Sequence, residues 1–126
     1  MTAAPLITVV DDDQSVRTSA VNLLEAIGFR VHSYGRAETF LRSKFLLETA
    51  CLILDVRMPG LSGFELHQKL RTQGIRIPTI FVSAQIKDHM RAAGLPGGAV
   101  DYLEKPVSDG SLLASIHKAL NLAPAL

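Results

Sequence analysis

Five short apolar runs alternate with stretches of helical period, and this alternation constrains the fold more than anything else in the chain. LITVV (Leu6 to Val10) is followed by Val16, Ala20, Leu23, Leu24 and Ile27, whose spacing predicts a helix that stops at Gly28. RVHSY (Arg30 to Tyr34) alternates like a half-buried strand, and Ala37, Phe40, Leu41 and Phe45 predict a second helical face. CLIL (Cys51 to Leu54) is continuously apolar, as in a strand covered on both faces. MPGLSG (Met58 to Gly63) is turn chemistry, after which Leu66 and Leu70 open a third helix ending near Gly74. Pro78 introduces a fourth strand, TIFV (Thr79 to Val82), and Tyr102, Leu103 and Glu104 close a fifth. Ser108 is placed to cap a last helix carrying Leu113, Ile116 and Leu120. The expected fold is α/β: a doubly wound five-stranded parallel sheet with helices on both faces.

The 126 residues suffice for one such domain with a substantial core. We place it at residues 1–122, with 123–126 as a tail or the start of a linker. Thirteen basic residues against twelve acidic ones leave a net charge of +1. Without clustered Lys and Arg, direct binding of nucleic acid is disfavoured. No apolar run approaches the roughly 18 residues of a membrane span, and no basic-then-apolar leader opens the chain. Cys51, the single cysteine, lies in an apolar run and is expected to be a small buried hydrophobe, which suits a reducing cytoplasm.

In open parallel sheets, sites form beyond the carboxyl ends of the strands, so the residue after each apolar run matters. Asp11 and Asp12 follow the first run, Asp55 the third, Ser83 the fourth, and Lys105 with Pro106 the fifth. Singly, a strand-end Asp is most often a turn residue or a helix cap, a Ser is merely solvated, and a Lys before Pro is surface. Their joint placement on one sheet edge is the informative feature. Asp11, Asp12 and Asp55 offer oxygen ligands to a hard cation, and Mg²⁺ suits a site that awaits a phosphate. The histidines, His32, His67, His89 and His117, lack metal-ligand spacing, which disfavours zinc or copper. Asp55 is the candidate nucleophile, because a carboxylate can attack a phosphoryl group and form an acyl phosphate. A cation would offset the repulsion in that attack. Lys105 would add a second positive charge, and Ser83 a hydroxyl donor.

VVDDDQSVR, LILDVRMPGLSG, TIFVSA and GAVDYLEKP resemble, in order and spacing, a bacterial two-component response regulator receiver domain, with the flavour of the FixJ-like group. The resemblance covers nearly the whole chain and implies a flavodoxin-like receiver fold. It implies that Asp55 is phosphorylated by a sensor histidine kinase. It further implies that Asp12 binds Mg²⁺ (or Mn²⁺) directly and Asp11 largely through water, with the Arg57 backbone carbonyl completing the protein ligands beside Asp55. Ser83 and Tyr102 would be the switch residues, Lys105 the family's lysine, and the Lys105–Pro106 bond cis. Asp13 stands outside this set, as a solvated residue at the start of the first helix. In such proteins the chain acts not as an enzyme on a metabolite but as a phosphoacceptor that slowly dephosphorylates itself.

The resemblance also implies a cytoplasmic bacterial protein that controls transcription through a DNA-binding effector outside this chain. A homodimer through the fourth helix, fifth strand and fifth helix is implied too. A stand-alone receiver, acting by protein–protein contact or as a phosphorelay intermediate, is the alternative. Between Ser83 and Asp101 the sequence departs from the pattern, with Pro96 among Gly94, Gly97 and Gly98. Gly and Pro cost a helix interior roughly 1 and 3 kcal/mol each, so the fourth helix is expected to be short or irregular, confined to about Lys87 to Ala93 or absent. Ile86 and Met90 give it a thin apolar face, and Gln85 to Gly98 is expected to be the most mobile part of the domain. Haloacid-dehalogenase-type chemistry would need a second Asp where Arg57 stands, and a nucleotide binder would need a Gly- or Ser-rich loop where the three Asp stand.

Overall fold

In the computed structural model, which describes residues 4–85, 87–88 and 99–122, the five expected strands are all present. They are β1 (Leu6–Val10), β2 (Arg30–Tyr34), β3 (Thr49–Asp55), β4 (Thr79–Ser83) and β5 (Asp101–Glu104). All neighbours pair in parallel, in the order β2-β1-β3-β4-β5. The helices are α1 (Gln14–Ile27), α2 (Ala37–Leu41), α3 (Gly63–Thr72) and a last helix, α4 (Asp109–Leu122).

The period of two along each strand divides the core into two layers. On β3, Cys51 and Ile53 join Leu24 of α1 and Leu112 and Ile116 of α4. The alternate residues Leu52 and Leu54 join Phe40 of α2 and Leu66 and Leu70 of α3. Strands covered on both faces read as unbroken apolar runs, and β1 and β4 are buried at every position. Each such Leu or Ile contributes roughly 1.5–3 kcal/mol by leaving water. The edge strands β2 and β5 are only half-buried, and the sequence there is correspondingly polar.

Helix ends are set where the sequence places the capping chemistry. Asp13 accepts hydrogen bonds from the Ser15 and Val16 amides at 2.9 and 3.3 Å, and Gly28 ends α1 at φ +113°. Ser62 and Glu65 form a reciprocal capping box on α3. The Ser108 hydroxyl accepts from the Ser111 amide at 3.2 Å, so Ser108 caps α4 as expected.

Two expectations are corrected. Phe45 does not continue the second helix, because α2 ends at Leu41. The Ser43 hydroxyl bonds Tyr34 Oη at 2.7 Å and accepts the Phe45 amide at 3.0 Å, giving the backbone a turn in place of the next helical bond. Phe45 stacks instead on His32, with ring centroids 4.1 Å apart. The third strand also begins earlier than its apolar run, at Thr49, whose hydroxyl is buried against that of Thr8 at 2.8 Å.

The expected fourth helix and the expected mobility of Gln85 to Gly98 fall mainly on residues 86 and 89–98, outside the described residues, while Lys87 and Asp88 are helical. Residues 123–126, the expected tail, also lie outside them. Among the described residues, no helix is long and apolar enough to cross a membrane.

Candidate functional site

In this strand order the chain leaves β1 toward one side of the sheet and arrives at β3 on the other. The crevice at their carboxyl ends is where such sheets bind ligands. Val10 is in register with Leu54, so the next residues, Asp11 and Asp55, stand side by side. Both are buried, at 3% and 4% exposure, whereas Asp12 is exposed. One carboxylate oxygen from each of Asp11, Asp12 and Asp55 lies within 4.8 Å of the other two. Asp13 turns away to cap α1 and is not part of this cluster.

The loop after β5 brings in the positive charge. The Lys105–Pro106 bond is cis, and the Lys105 amide donates to the Ser83 carbonyl at 3.0 Å, which fixes the loop to β4. Lys105 Nζ lies 3.0 Å from Asp11 Oδ2 and 3.4 Å from Asp55 Oδ2. Burial opposes the charge on Lys105, but its two carboxylate partners outweigh burial and raise its pKa. Burial, and then the Asp11 carboxylate, raise the Asp55 pKa against the pull of Lys105 and the Arg57 amide. Two buried carboxylates and one exposed one, all oxygen donors, fit a hard divalent cation, whose charge would favour the ionised form of Asp55. Arg57 belongs to the same rim, with its amide 3.4 Å from Asp55 Oδ1. A cavity of about 450 Å³ opens between α1 and the start of α4, and Asp11, Asp55 and Lys105 form part of its wall. Asp55 can therefore be approached from outside.

Gly63 holds Asp55 from the other side. Its amide donates to the Val56 carbonyl at 2.9 Å, and a Cβ there would overlap the Asp55 carbonyl oxygen. The start of α3 thus lies directly against the backbone of the candidate nucleophile.

Ser83 ends β4, one residue beyond the Val82 that pairs with Asp55, and is buried at 2% exposure. Its hydroxyl donates to Asp88 Oδ2 at 2.7 Å and accepts from the Gln85 amide at 3.0 Å. Tyr102 pairs with Phe81 across β4 and β5, and their rings stack at 6.4 Å with an interplanar angle of 5°. Tyr102 is half-buried.

Asp88 is the residue that sequence reasoning missed. It is 4% exposed, and Arg57 grips its carboxylate with two bonds, Nε to Oδ2 at 2.8 Å and Nη2 to Oδ1 at 3.0 Å. Burial works against its ionisation, yet the bonds from Arg57 and Ser83 prevail and hold its carboxyl below the usual range. The pair spans 31 positions, and no local pattern marks it.

The family model described as the response regulator receiver domain matches residues 7–117. The chain is similar to the response regulator protein TmoT of Ectopseudomonas mendocina, 40% identical over 119 residues that cover 94% of this chain and 54% of that protein. It is similar to the transcriptional regulatory protein FixJ of Bradyrhizobium diazoefficiens, 37% identical over 98% of this chain and 60% of that protein. It therefore spans a little over half the length of these curated relatives. Among solved structures, the crystal structure of FixJ-N superposes with a TM-score of 0.85 at 33% identity, covering 100% of both chains.

Proposed function

The chain belongs to the response regulator receiver domain family, and from that premise we propose that Asp55 is its phosphoacceptor, taking the phosphoryl group from the phosphohistidine of a sensor kinase. One observation carries this reading: Asp55 is a buried carboxylate reachable from a groove, with Lys105 and two further carboxylates around it. An Asp55 carboxylate oxygen attacks phosphorus, the P–N bond of the donor breaks, and the imidazole leaves with the bonding pair. The product is an acyl phosphate. Lys105 neutralises charge on the phosphoryl oxygens, and the Ser83 hydroxyl donates to one of them. A divalent cation held by Asp11, Asp12, Asp55 and the Arg57 carbonyl would offset repulsion between the carboxylate and the phosphoryl group, and Mg²⁺ or Mn²⁺ suits these oxygens. Water slowly hydrolyses the acyl phosphate, so the domain resets itself and acts on no other substrate.

Movement of Ser83 toward the phosphoryl group leaves space for Tyr102 to turn inward, and the two positions bias the face built on β5 and α4. The same reading includes a homodimer through the fourth helix, fifth strand and last helix. The output we assign, by likeness to the transcriptional regulatory protein FixJ, is transcription control in a bacterial cytoplasm through a fused or partner DNA-binding effector.

The test is Mg²⁺-dependent labelling from a phosphohistidine kinase or a small phosphodonor. The label should be sensitive to hydroxylamine and absent from Asp55→Asn. Undiminished labelling of that variant would sink the assignment.

A further inference from the structure

The Ser83 hydroxyl, at the end of β4, and the Arg57 guanidinium, from the loop after β3, both end on one carboxylate that phosphoryl transfer does not use. Asp88 Oδ2 accepts from Ser83 Oγ at 2.7 Å and from Arg57 Nε at 2.8 Å, while Oδ1 accepts from Arg57 Nη2 at 3.0 Å. The two-pronged Arg57 grip fixes the plane of the carboxylate, and Asp88 is 4% exposed, so water competes little for Oδ2. A serine hydroxyl carries one proton. In this structure that proton is committed to Asp88.

We infer that Asp88 is a positioning residue: anchored by Arg57, it holds the Ser83 hydroxyl away from the phosphoacceptor and sets the resting position of the switch. The inference rests on the phosphoacceptor reading of Asp55. A phosphoryl oxygen on Asp55 and Asp88 Oδ2 compete for the same proton, so every phosphorylation event must break the Ser83–Asp88 bond. The apparent affinity of the site for a phosphoryl group is lowered by the fraction of molecules that remain latched. Arg57 need not move, because its two bonds to Asp88 survive the departure of Ser83. Its side chain is 54% exposed, so loss of Asp88 leaves a solvated guanidinium rather than a buried unpaired charge.

The experiment is a titration of the intact chain with beryllofluoride, a phosphoryl mimic, at saturating Mg²⁺. Asp88→Ala should bind about tenfold more tightly than wild type, the lower end of what a hydrogen bond to a charged acceptor is worth. Asp88→Asn keeps the shape of the side chain, guards against a folding defect, and should move the same way by less. The gain must vanish in a Ser83→Ala background, since the latch acts only through that hydroxyl. A merely structural role would weaken binding in both backgrounds. Equal or weaker binding by both Asp88 variants overturns the inference, as does a gain that persists without the Ser83 hydroxyl. Failure of the wild-type protein to bind the mimic at all would instead reject the phosphoacceptor reading, and the latch with it.

Discussion

Gly63→Ala is the smallest change that should disturb both the fold and the site. A Cβ on residue 63 would fall 3.0 Å from Val56 Cα and 3.1 Å from the Asp55 carbonyl carbon, and closer still to the Asp55 carbonyl oxygen. These are backbone atoms of the last residue of a central strand and of the residue after it, and they cannot swing aside. Val56 N donates to the Val82 carbonyl at 3.1 Å, and the Val56 carbonyl accepts from Gly63 itself at 2.9 Å. Overpacking costs about 1–3 kcal/mol, and rigid neighbours place this site toward the upper part of that range. Against it stands the greater helix propensity of Ala, at most about 1 kcal/mol at the first helical position. The net loss should be about 2 kcal/mol, read as a fall of about 1 M in the urea midpoint. Gly74→Ala is the control: its φ of +76° makes any Cβ strained, but nothing lies within 4 Å, so only about 1–2 kcal/mol of backbone strain is expected. The Gly63 variant should also bind beryllofluoride more weakly, because the strand shifts at Asp55, while the Gly74 variant should not. Wild-type stability and binding in Gly63→Ala would refute the close-approach argument.

The three consecutive carboxylates should separate by role: Asp12→Ala should weaken Mg²⁺ binding by about tenfold or more, while Asp13→Ala should leave it unchanged and lower the melting temperature through the lost α1 cap. Equal calorimetric titrations of the two variants would contradict that division. His67 offers a pH test: burial, and then the Arg71 charge, hold its imidazole below the usual 6.5, so the unfolded chain takes up a proton that the folded one resists. Stability should therefore fall as pH drops below 6.5 toward the lowered folded value. Denaturation at about pH 7.5 and about pH 5.5 should show a smaller loss in His67→Gln than in wild type, and an identical loss would remove His67 as the cause.

Asp11 and Asp55 were legible in the sequence because a parallel strand buried on both faces announces its own end: the apolar run stops, and the next residue stands on the ligand-binding edge. Lys105 was legible differently, as the residue that follows a short half-buried edge strand on the same sheet edge. Phe45 was misplaced because helical spacing says nothing of a hydroxyl two residues earlier that competes for the backbone, as Ser43 does. Thr49 was missed because no apolar pattern marks the partners that satisfy its hydroxyl, Thr8 from 41 positions away and the Phe45 carbonyl. Asp88 was illegible in the same sense. Its carboxylate is held by Arg57 from the loop after β3 and by Ser83 at the end of β4, and no local pattern joins the three.

The charge arrangement argues that the latch and the acceptor are electrostatically separate devices sharing one hydroxyl. Fully ionised, Asp11, Asp12 and Asp55 set against Lys105 leave two negative charges, which a divalent cation would balance. Arg57 and Asp88 form a neutral pair beside this centre and alter its net charge not at all. When Ser83 leaves Asp88 for a phosphoryl oxygen, one hydrogen bond to an anion is exchanged for another, and no ion pair is broken. The two positions of the hydroxyl should then differ by only a few kcal/mol, the gap at which a minor state stays populated at about 0.1–10%. A switch placed in that range responds to a single phosphoryl group without being locked in either position. The Arg57–Asp88 pair sets where in the range it rests.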